Sequence, residues 1–336
     1  MIETTVREAV DADRAAIDAI LTAAWTRPYV VIGGVGHDLT LLPTLVAERD
    51  GVLVGALTFR VDAGGLEIMS INGEGGGAGT ALIQAAIAHA QRTGAPRVRV
   101  ATSNDNTGAQ RFYQKNGLRY AGLRPDAIEF ARRQKPTIPR VTGEGLPLRD
   151  EILMERRLDG ADAGPVEAAR AAVTRAITWR GGETDLWPLL ADPYALTDIA
   201  RGLAHEFLGR VDVVAGPDPG GLLFGPRVAA ELGVAFAPVC RDRRFFFKGP
   251  HETLSAGELV AHRAAFGVGA RVLLVDDWSE SGSTVKGVAA MLEGTGASLI
   301  GASFLIGNLS ADARASLAAA GVDVRALAGV DELKPA

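Results

Sequence analysis

The chain of 336 residues predicts two successive α/β units, and three observations carry that expectation. Its length suits roughly two domains of about 150 residues each. The stretch LDGADAGPVE (158–167) follows neither helical nor strand periodicity and interrupts the chain near its middle as a short linker. After it, continuous apolar strands alternate with amphipathic helices, the pattern of a parallel sheet covered on both faces. Before it the pattern is mixed, a hairpin and then strands and helices in turn. The expected units are 1–158 and 167–331, joined by 159–166.

In the first unit, Asp11 or Asp13 is placed to cap a helix on which Ile17, Ile20, Leu21 and Ala24 share a face. LVAERDGVLVGALTFRV (45–61) reads as two strands around Asp50-Gly51, a strong hairpin turn pair. Then come a strand, LEIMSI (66–71), a glycine-rich loop and a helix from about Thr80 to Arg92. RVRVAT (97–102) is another strand, and Thr107 to Asn116 another helix that Gly117 ends. In the second unit, VDVVAG (211–216) precedes the helical stretch GLLFGPRVAAELG, and VAFAPVC (234–240) is the next strand. RVLLVDD (271–277) leads into a helix with Val285, Val288, Ala289 and Leu292 on one face, and SLIGASFLI (298–306) closes the series. In such a sheet ligands sit beyond the carboxyl ends of the strands. Asp276 and Asp277 fall there.

Composition narrows the function classes. Hydrophobic residues make up 47% of the chain, enough for more than one core, and 35 basic against 40 acidic residues leave a net charge of −5. That balance argues against nucleic acid or an anionic membrane as an obligate partner. Cys240 is the only cysteine, which excludes an intramolecular disulfide and disfavours a cysteine-bearing metal cluster. The start MIETTVREAV lacks the basic-then-apolar order of a signal peptide, and no apolar run nears the ~18 residues of a membrane span. The expectation is a soluble, cytoplasmic protein. His37, His89, His205, His251 and His262 are scattered without metal-ligand spacing, and FARRQKP (130–136) reads as a solvated basic face.

VLLVDDWSESGST (272–284) runs a buried strand into two acids and then a hydroxyl-rich turn. Ser281-Gly282-Ser283-Thr284 opens a helix, so unpaired amides and the positive end of the helix dipole face an anion. Asp276 and Asp277 cannot hold that anion, but they can accept hydrogen bonds from vicinal hydroxyls or stand beside Mg²⁺. Phosphate at one end and diol plus metal at the other describe a phosphorylated ribose.

This stretch resembles the PRPP-binding signature of type I phosphoribosyltransferases, and the resemblance extends over most of 167–331. ETDLWPLLADPYALTDIARGLA (183–204) and VVAGPDPGGLLFGPRVAAELGVAFAPVCRD are similar to segments of the adenine and orotate enzymes. The resemblance implies a Rossmann-like parallel sheet that binds PRPP with Mg²⁺. Asp276 and Asp277 would hold the ribose hydroxyls, with the metal held directly or indirectly, and Ser281, Gly282, Ser283 and Thr284 the 5′-phosphate. Asp218, Pro219, Gly220 and Gly221 would face the pyrophosphate. RDRRFFFKG (241–249) would be a mobile flap offering Arg241, Arg243 and Lys248. Glu280 stands where the hypoxanthine-guanine enzymes carry an acid, so it is the candidate proton-transfer group toward a nitrogen heterocycle. Trp278, Ser279 and Asp218 depart from the pattern, and Asp218 puts negative charge where pyrophosphate would lie.

INGEGGGAGTALIQAAIAHAQ (71–91) poses a similar problem in the first unit, with glycines directly before an Ala-rich helix. Bare amides at that helix start can wrap a pyrophosphate. ATSNDNTGAQRFYQKNGL (101–118) then resembles the late helix of the GNAT acetyltransferase superfamily, with its Asn-x-x-Ala-x-x-x-Tyr pattern and terminal glycine. The likeness covers about 1–158 and implies a mixed sheet with an acetyl-CoA site. Gly75, Gly76, Gly77, Ala78, Gly79 and Thr80 would cradle the pyrophosphate, the backbone at Ile71 would pair with pantetheine, and Asn106 would contact the coenzyme. Tyr113 would protonate the departing thiolate, core packing being its alternative. Glu67 is a candidate base for the acceptor amine, with a strand-edge salt bridge as its alternative. Glu74 stands where the family usually carries Arg or Gln, a cost to affinity unless it points to solvent.

The resulting expectation is a fusion of two transferases acting on small molecules, with a homodimer implied by the phosphoribosyltransferase likeness. One would move acetyl from acetyl-CoA to an amine; the other would join a base to, or release it from, a 5-phosphoribosyl group. The rival expectation is a second unit that binds PRPP or a nucleotide without turnover and regulates the first.

Overall fold

A computed structural model describes residues 4–158, 164–180, 183–241 and 253–333. The chain falls into two compact units, Met1–Gly160 and Ala161–Ala336. No helix among the described residues is long and apolar enough to cross a membrane.

The first unit runs β1 (Thr5–Glu8), α1 (Arg14–Trp25), β2 (Tyr29–Ile32), β3 (Val35–Asp38), β4 (Thr44–Arg49), β5 (Val52–Asp62), β6 (Gly65–Gly73), α2 (Ala78–Arg92), β7 (Arg97–Ser103), α3 (Thr107–Lys115), β8 (Arg119–Arg124), α4 (Ala127–Gln134) and β9 (Glu151–Arg157). Seven strands form one sheet in the order β1-β4-β5-β6-β7-β9-β8, and β2–β3 is a separate hairpin. The turn at Asp50-Gly51 forms as its chemistry requires: both residues take positive φ, 52° and 74°, which matches the twist of the flanking strands. α2 begins two residues ahead of the expected Thr80. Its Leu82, Ile83 and Ala86 are sealed against Leu57, Leu66 and Val98 of the sheet. Asp13 does not cap α1. Its carboxylate takes two Arg7 nitrogens at 2.6 and 2.9 Å and the Val10 amide at 2.8 Å, which braces β1 against the helix start.

All sheet pairings are antiparallel except one. β6 and β7 run parallel and pair only at Leu66↔Val98, Glu67↔Arg99 and Ile68↔Val100. β6 then continues to Gly73 and β7 to Ser103 without each other. The sheet is split open at this seam.

The second unit runs α5 (Pro165–Ala176), β10 (Thr178–Arg180), β11 (Glu183–Asp185), α6 (Trp187–Leu190), α7 (Pro193–His205), β12 (Val213–Pro217), α8 (Gly220–Leu232), β13 (Ala235–Val239), β14 (Thr253–Ala256), β15 (Leu259–His262), β16 (Arg271–Ser279), α9 (Ser283–Leu292), β17 (Ser298–Gly307), α10 (Ala311–Ala319) and β18 (Asp323–Gly329). Five strands form a parallel sheet in the order β13-β12-β16-β17-β18. One core packs on each face, Val214, Leu273 and Phe224 on one side and Ala215, Leu274 and Val288 on the other. This explains the unbroken apolar runs of the central strands.

Three expectations need correction. The linker does not extend to 166, because Pro165 already opens α5; proline suits a first helical position, where its missing N–H has no partner to lose. The sheet does not close at residue 306, because α10 and β18 follow. β16 runs on to Ser279, held by β17 through Trp278↔Ile306 and Ser279↔Gly307.

β12 goes on to β13 at one side and β16 to β17 at the other, so the chain reverses direction of build between β12 and β16. That reversal leaves a crevice at the strands' carboxyl ends. Packing in the first unit gives a direct check. Leu82 is fully buried, and Leu82→Ala should cost about 2–5 kcal/mol. The loss should appear in a urea titration as a lower midpoint for the first unit's transition, with that of the second unmoved.

Candidate functional sites

A cavity of about 720 Å³ occupies the seam of the first unit, lined by the ends of β6 and β7, the starts of α2 and α3, and residues of β2 and α4. Because the β6–β7 ladder has stopped, main-chain groups of Ile71 and Asn72 border open space on that side. Gly75, Gly76 and Gly77 take φ of 70°, 56° and 88°, a run that only glycine adopts without strain. A Cβ at Gly76 would lie 2.5 Å from the Arg49 guanidinium. Arg49 Nη2 donates to the carbonyls of Gly76 and Gly75 at 3.1 and 3.4 Å. The amides of Gly79 and Thr80 meet no protein acceptor among the described residues. This is the open helix start expected of an anion cradle. Ala78 drops out of that set, since its side chain is in the core and its amide is bound to the Gly75 carbonyl. Glu74 is exposed to solvent.

Tyr113 lines the cavity while remaining 6% exposed, edge-on to Phe112 at 5.5 Å. Burial pushes its phenol up to about 12, so it is protonated throughout the neutral range. The packing and acid readings of Tyr113 are therefore compatible. Asn106 caps α3, its Oδ1 accepting from the Ala109 amide at 3.1 Å, and it also lines the cavity.

Glu67 is not on the cavity wall. The strand register places Arg60 on one side of it and Arg99 on the other. Its Oε2 accepts from Arg60 Nε at 2.7 Å and lies 3.5 Å from Arg99 Nη2. Cross-strand neighbours of opposite charge at the centre of the sheet engage the carboxylate, which removes it as a base for the acceptor. FARRQKP is a solvated face only in part: Phe130, Arg133, Gln134 and Pro136 are exposed, whereas Arg132 and Lys135 turn to main chain. Arg132 bonds the carbonyls of Ile138, Pro139 and Leu148, and Lys135 Nζ bonds those of Trp25 and Tyr29 at 2.9 and 3.1 Å.

Two residues on this site escaped the sequence reading. Arg49 carries no motif signal, lying at the end of a strand. Glu151 opens β9, is 3% exposed and lines the cavity. Its carboxylate accepts the Gly33 amide at 3.0 and 3.1 Å and Arg124 Nη1 at 3.0 Å.

In the second unit, the loops after β12 and β16 meet. Gly220 lies against the acid pair so closely that a Cβ there would overlap the Asp277 carboxylate and stand 2.8 Å from Asp276 Oδ1. At Gly221 a Cβ would lie 2.6 Å from the Val275 carbonyl. Asp276 is 7% exposed, and its Oδ1 accepts the Asp277 amide at 3.0 Å. Burial first, and then the charge of Asp277, push the Asp276 carboxyl up to about 8. Two adjacent carboxyls that resist joint ionisation fit a site that receives a cation. No group of three His, Cys, Asp or Glu converges among the described residues.

Ser281 and Ser283 are exposed and share a hydroxyl–hydroxyl bond of 3.0 Å. Gly282, at φ 74°, turns the chain into α9. The amides of Gly282 and Thr284 meet no protein acceptor among the described residues. Glu280 is exposed at the rim of this loop. The charge of Asp218 has a local answer: its carboxylate takes the Arg241 amide at 3.1 Å and Arg241 Nη1 at 2.8 Å. Pro219 joins Asp218 through a cis peptide. Arg243 and Lys248 lie outside the described residues.

Residues 24–118 match the acetyltransferase (GNAT) family, and residues 190–319 match the phosphoribosyl transferase domain family. The chain joins a GNAT acetyltransferase domain to a phosphoribosyltransferase domain. The uncharacterized protein YdhI of Bacillus subtilis (strain 168) is 40% identical over 138 residues, which cover 40% of this chain and 86% of that protein. The adenine phosphoribosyltransferase of Rhizobium meliloti (strain 1021) is 33% identical over 152 residues, covering 43% of this chain and 82% of that one. Among solved structures, the adenine phosphoribosyltransferase of Thermoanaerobacter pseudethanolicus is 32% identical with a TM-score of 0.38, covering 44% of this chain and 87% of that chain.

The acid pair of the phosphoribosyltransferase domain makes a pH-dependent prediction. Asp276 has a folded pKa raised above its unfolded value of 3.8. Its neutral form is therefore the one that folding favours, and stability drains away as pH rises from about 4 toward about 8. Asp276→Asn should raise the melting temperature of this domain at pH 8, and the difference should vanish near pH 4. Melts of both proteins across that range by differential scanning calorimetry would check it.

Proposed function

We infer that the GNAT domain transfers the acetyl group of acetyl-CoA to an amine, and that the phosphoribosyltransferase domain joins PRPP and a nitrogenous base. One observation supports both halves. In each domain a left-handed glycine turn hands unbonded amides to the mouth of a gap between two parallel strands, beside the group its chemistry needs.

In the first domain those amides, from Gly79 and Thr80, would bind the coenzyme's pyrophosphate, and the open edge of β6 at Ile71 would pair with pantetheine. The acceptor nitrogen attacks the thioester carbonyl, a C–N bond forms, the C–S bond breaks and the nitrogen gives up its surplus proton to water. The leaving thiolate takes the proton of Tyr113, which burial keeps protonated until that moment and which regains a proton from water afterwards. Tyr113→Phe should lower kcat about 10²- to 10⁴-fold, with acetyl-CoA affinity by calorimetry unchanged. Equal activity in the Phe variant would remove Tyr113 from the role.

In the second domain Gly282, Thr284 and the serine hydroxyls would hold the 5′-phosphate, and Asp276 and Asp277 the ribose hydroxyls. Gly220 and Gly221 let the pyrophosphate side approach the acid pair, and Arg241, paired with Asp218, supplies a cation at that loop. Mg²⁺ bound with PRPP would neutralise charge developing on the pyrophosphate oxygens. The C1–O bond to pyrophosphate breaks as the C1–N bond to the base forms, and Glu280 at the rim would exchange a proton with the base. The likeness to adenine phosphoribosyltransferases makes adenine the first base to try.

A second reading has its own observation. Arg241 is already paired with Asp218, which lowers the positive charge available to pyrophosphate, and a domain that binds PRPP without turnover would tolerate that. Incubation with PRPP, Mg²⁺ and a panel of bases separates the two. Pyrophosphate release that Glu280→Gln reduces at least tenfold supports the transferase, whereas tight PRPP binding with no release for any base supports the sensor.

A further inference from the structure

The cavity of the GNAT domain has two ends of different chemistry. Toward α2 and α3 it is bounded by the groups assigned above to the coenzyme. Toward β2 and α4 its wall is apolar, formed by Val30, Ile32, Ile128, Ala131, Ile138 and Leu148. The contribution from α4 comes from its inner face, Ile128 at 8% and Ala131 at 1% exposure. Among the described residues, two ionisable side chains line this end, Lys135 and Glu151. Lys135 points its Nζ at the Trp25 and Tyr29 carbonyls, tying α4 to the α1–β2 connection.

Glu151 is placed differently. It lies across from Ser103 in the β7–β9 ladder, where β7 has left β6, and so stands between the two ends of the cavity. Its Oε2 accepts both Arg124 Nη1 and the Gly33 amide, while Oε1 accepts only the shared Gly33 amide among the described residues. A carboxylate oxygen has two lone pairs, so Oε1 retains acceptor capacity in a wall that is mainly apolar apart from Lys135. Arg124 is half-exposed and does not line the cavity. Its charge already offsets part of that of Glu151, a useful condition for an acceptor nitrogen. The carboxylate can orient an N–H by hydrogen bonding without locking the nitrogen as an ammonium, which could not attack a thioester.

We propose that this end of the cavity takes the acetyl acceptor and that the acceptor is a primary amine on an apolar aliphatic or aromatic body, its nitrogen hydrogen-bonded to Glu151. The assignment rests on the acetyltransferase reading of this domain. It makes Glu151 the orienting group and the α4–β2 wall the specificity surface. Polyamines and amino sugars are disfavoured, because their remaining polar groups would be buried without partners.

The test follows free-thiol release from acetyl-CoA with primary amines from ethylamine to hexylamine, with phenethylamine, and with spermidine and glucosamine as polar competitors. In the full-length protein kcat/KM should rise about fourfold per added methylene until the chamber is filled. Glu151→Gln should raise the amine KM about tenfold or more, with acetyl-CoA affinity by calorimetry within twofold of the parent. Ile138→Asn, at the far wall, should flatten the chain-length series with acetyl-CoA affinity again unchanged, and this arm stands if Glu151→Gln folds poorly. Polar amines turned over as well as apolar ones, or both variants leaving the series unaltered, would overturn the proposal. Binding of acetyl-CoA with no turnover of any apolar amine would overturn it alone, whereas no acetyl-CoA binding would overturn the acetyltransferase reading and the proposal together.

Discussion

Both sites depend on parallel ladders that end early. β6 and β7 pair at three positions and then separate, and β12 and β16 also pair at three, Val213↔Val272 to Ala215↔Leu274, before β16 continues to Ser279. A buried backbone donor or acceptor left without a partner is costly. Strands that part company inside a fold therefore call for something polar between them, whether a ligand, a side chain or water. The antiparallel pairs on either side of this seam run far longer, eight positions for β5 with β6 and seven for β7 with β9. The opening is confined to the parallel seam.

Glycine does complementary work at the two openings. In the GNAT domain it supplies backbone conformation, with three successive left-handed residues that lead the chain into α2. In the phosphoribosyltransferase domain Gly220 and Gly221 supply closeness, since any side chain would strike the acid pair or the strand behind it. The first kind of glycine tolerates Asn better than other residues. The second tolerates nothing, because its neighbours are a carboxylate and main chain.

Features set by local chemistry were legible in the sequence. The Asp50-Gly51 turn, the glycine loop before α2 and the strand–acid–hydroxyl order of 271–284 each rest on a few adjacent residues. What failed depended on partners distant in the chain. Glu67 looked available because Arg60 and Arg99 become its neighbours only through sheet register. β9 was missed because its Glu151, Glu155 and Arg157 are buried, whereas alternating charge ordinarily marks a wet face. Arg97 shows the same inversion at 2% exposure, paired with Glu155 at 3.0 Å. The basic run 130–136 is only partly a wet face for a related reason, since Arg132 and Lys135 satisfy carbonyls of segments up to 110 residues away while Arg133 stays exposed. At the sheet's end β18, a short run with few large apolar residues, gave little periodicity to read.

Arg49 links two places that the sequence keeps apart. The guanidinium that draws back the carbonyls of Gly75 and Gly76 also donates to the Thr4 hydroxyl, from Nε at 3.3 Å and Nη2 at 3.1 Å. Through Arg49, Thr4 thus buttresses a glycine loop some seventy positions downstream. A change that disturbs Thr4 would be felt at the helix start of α2, because one guanidinium serves both.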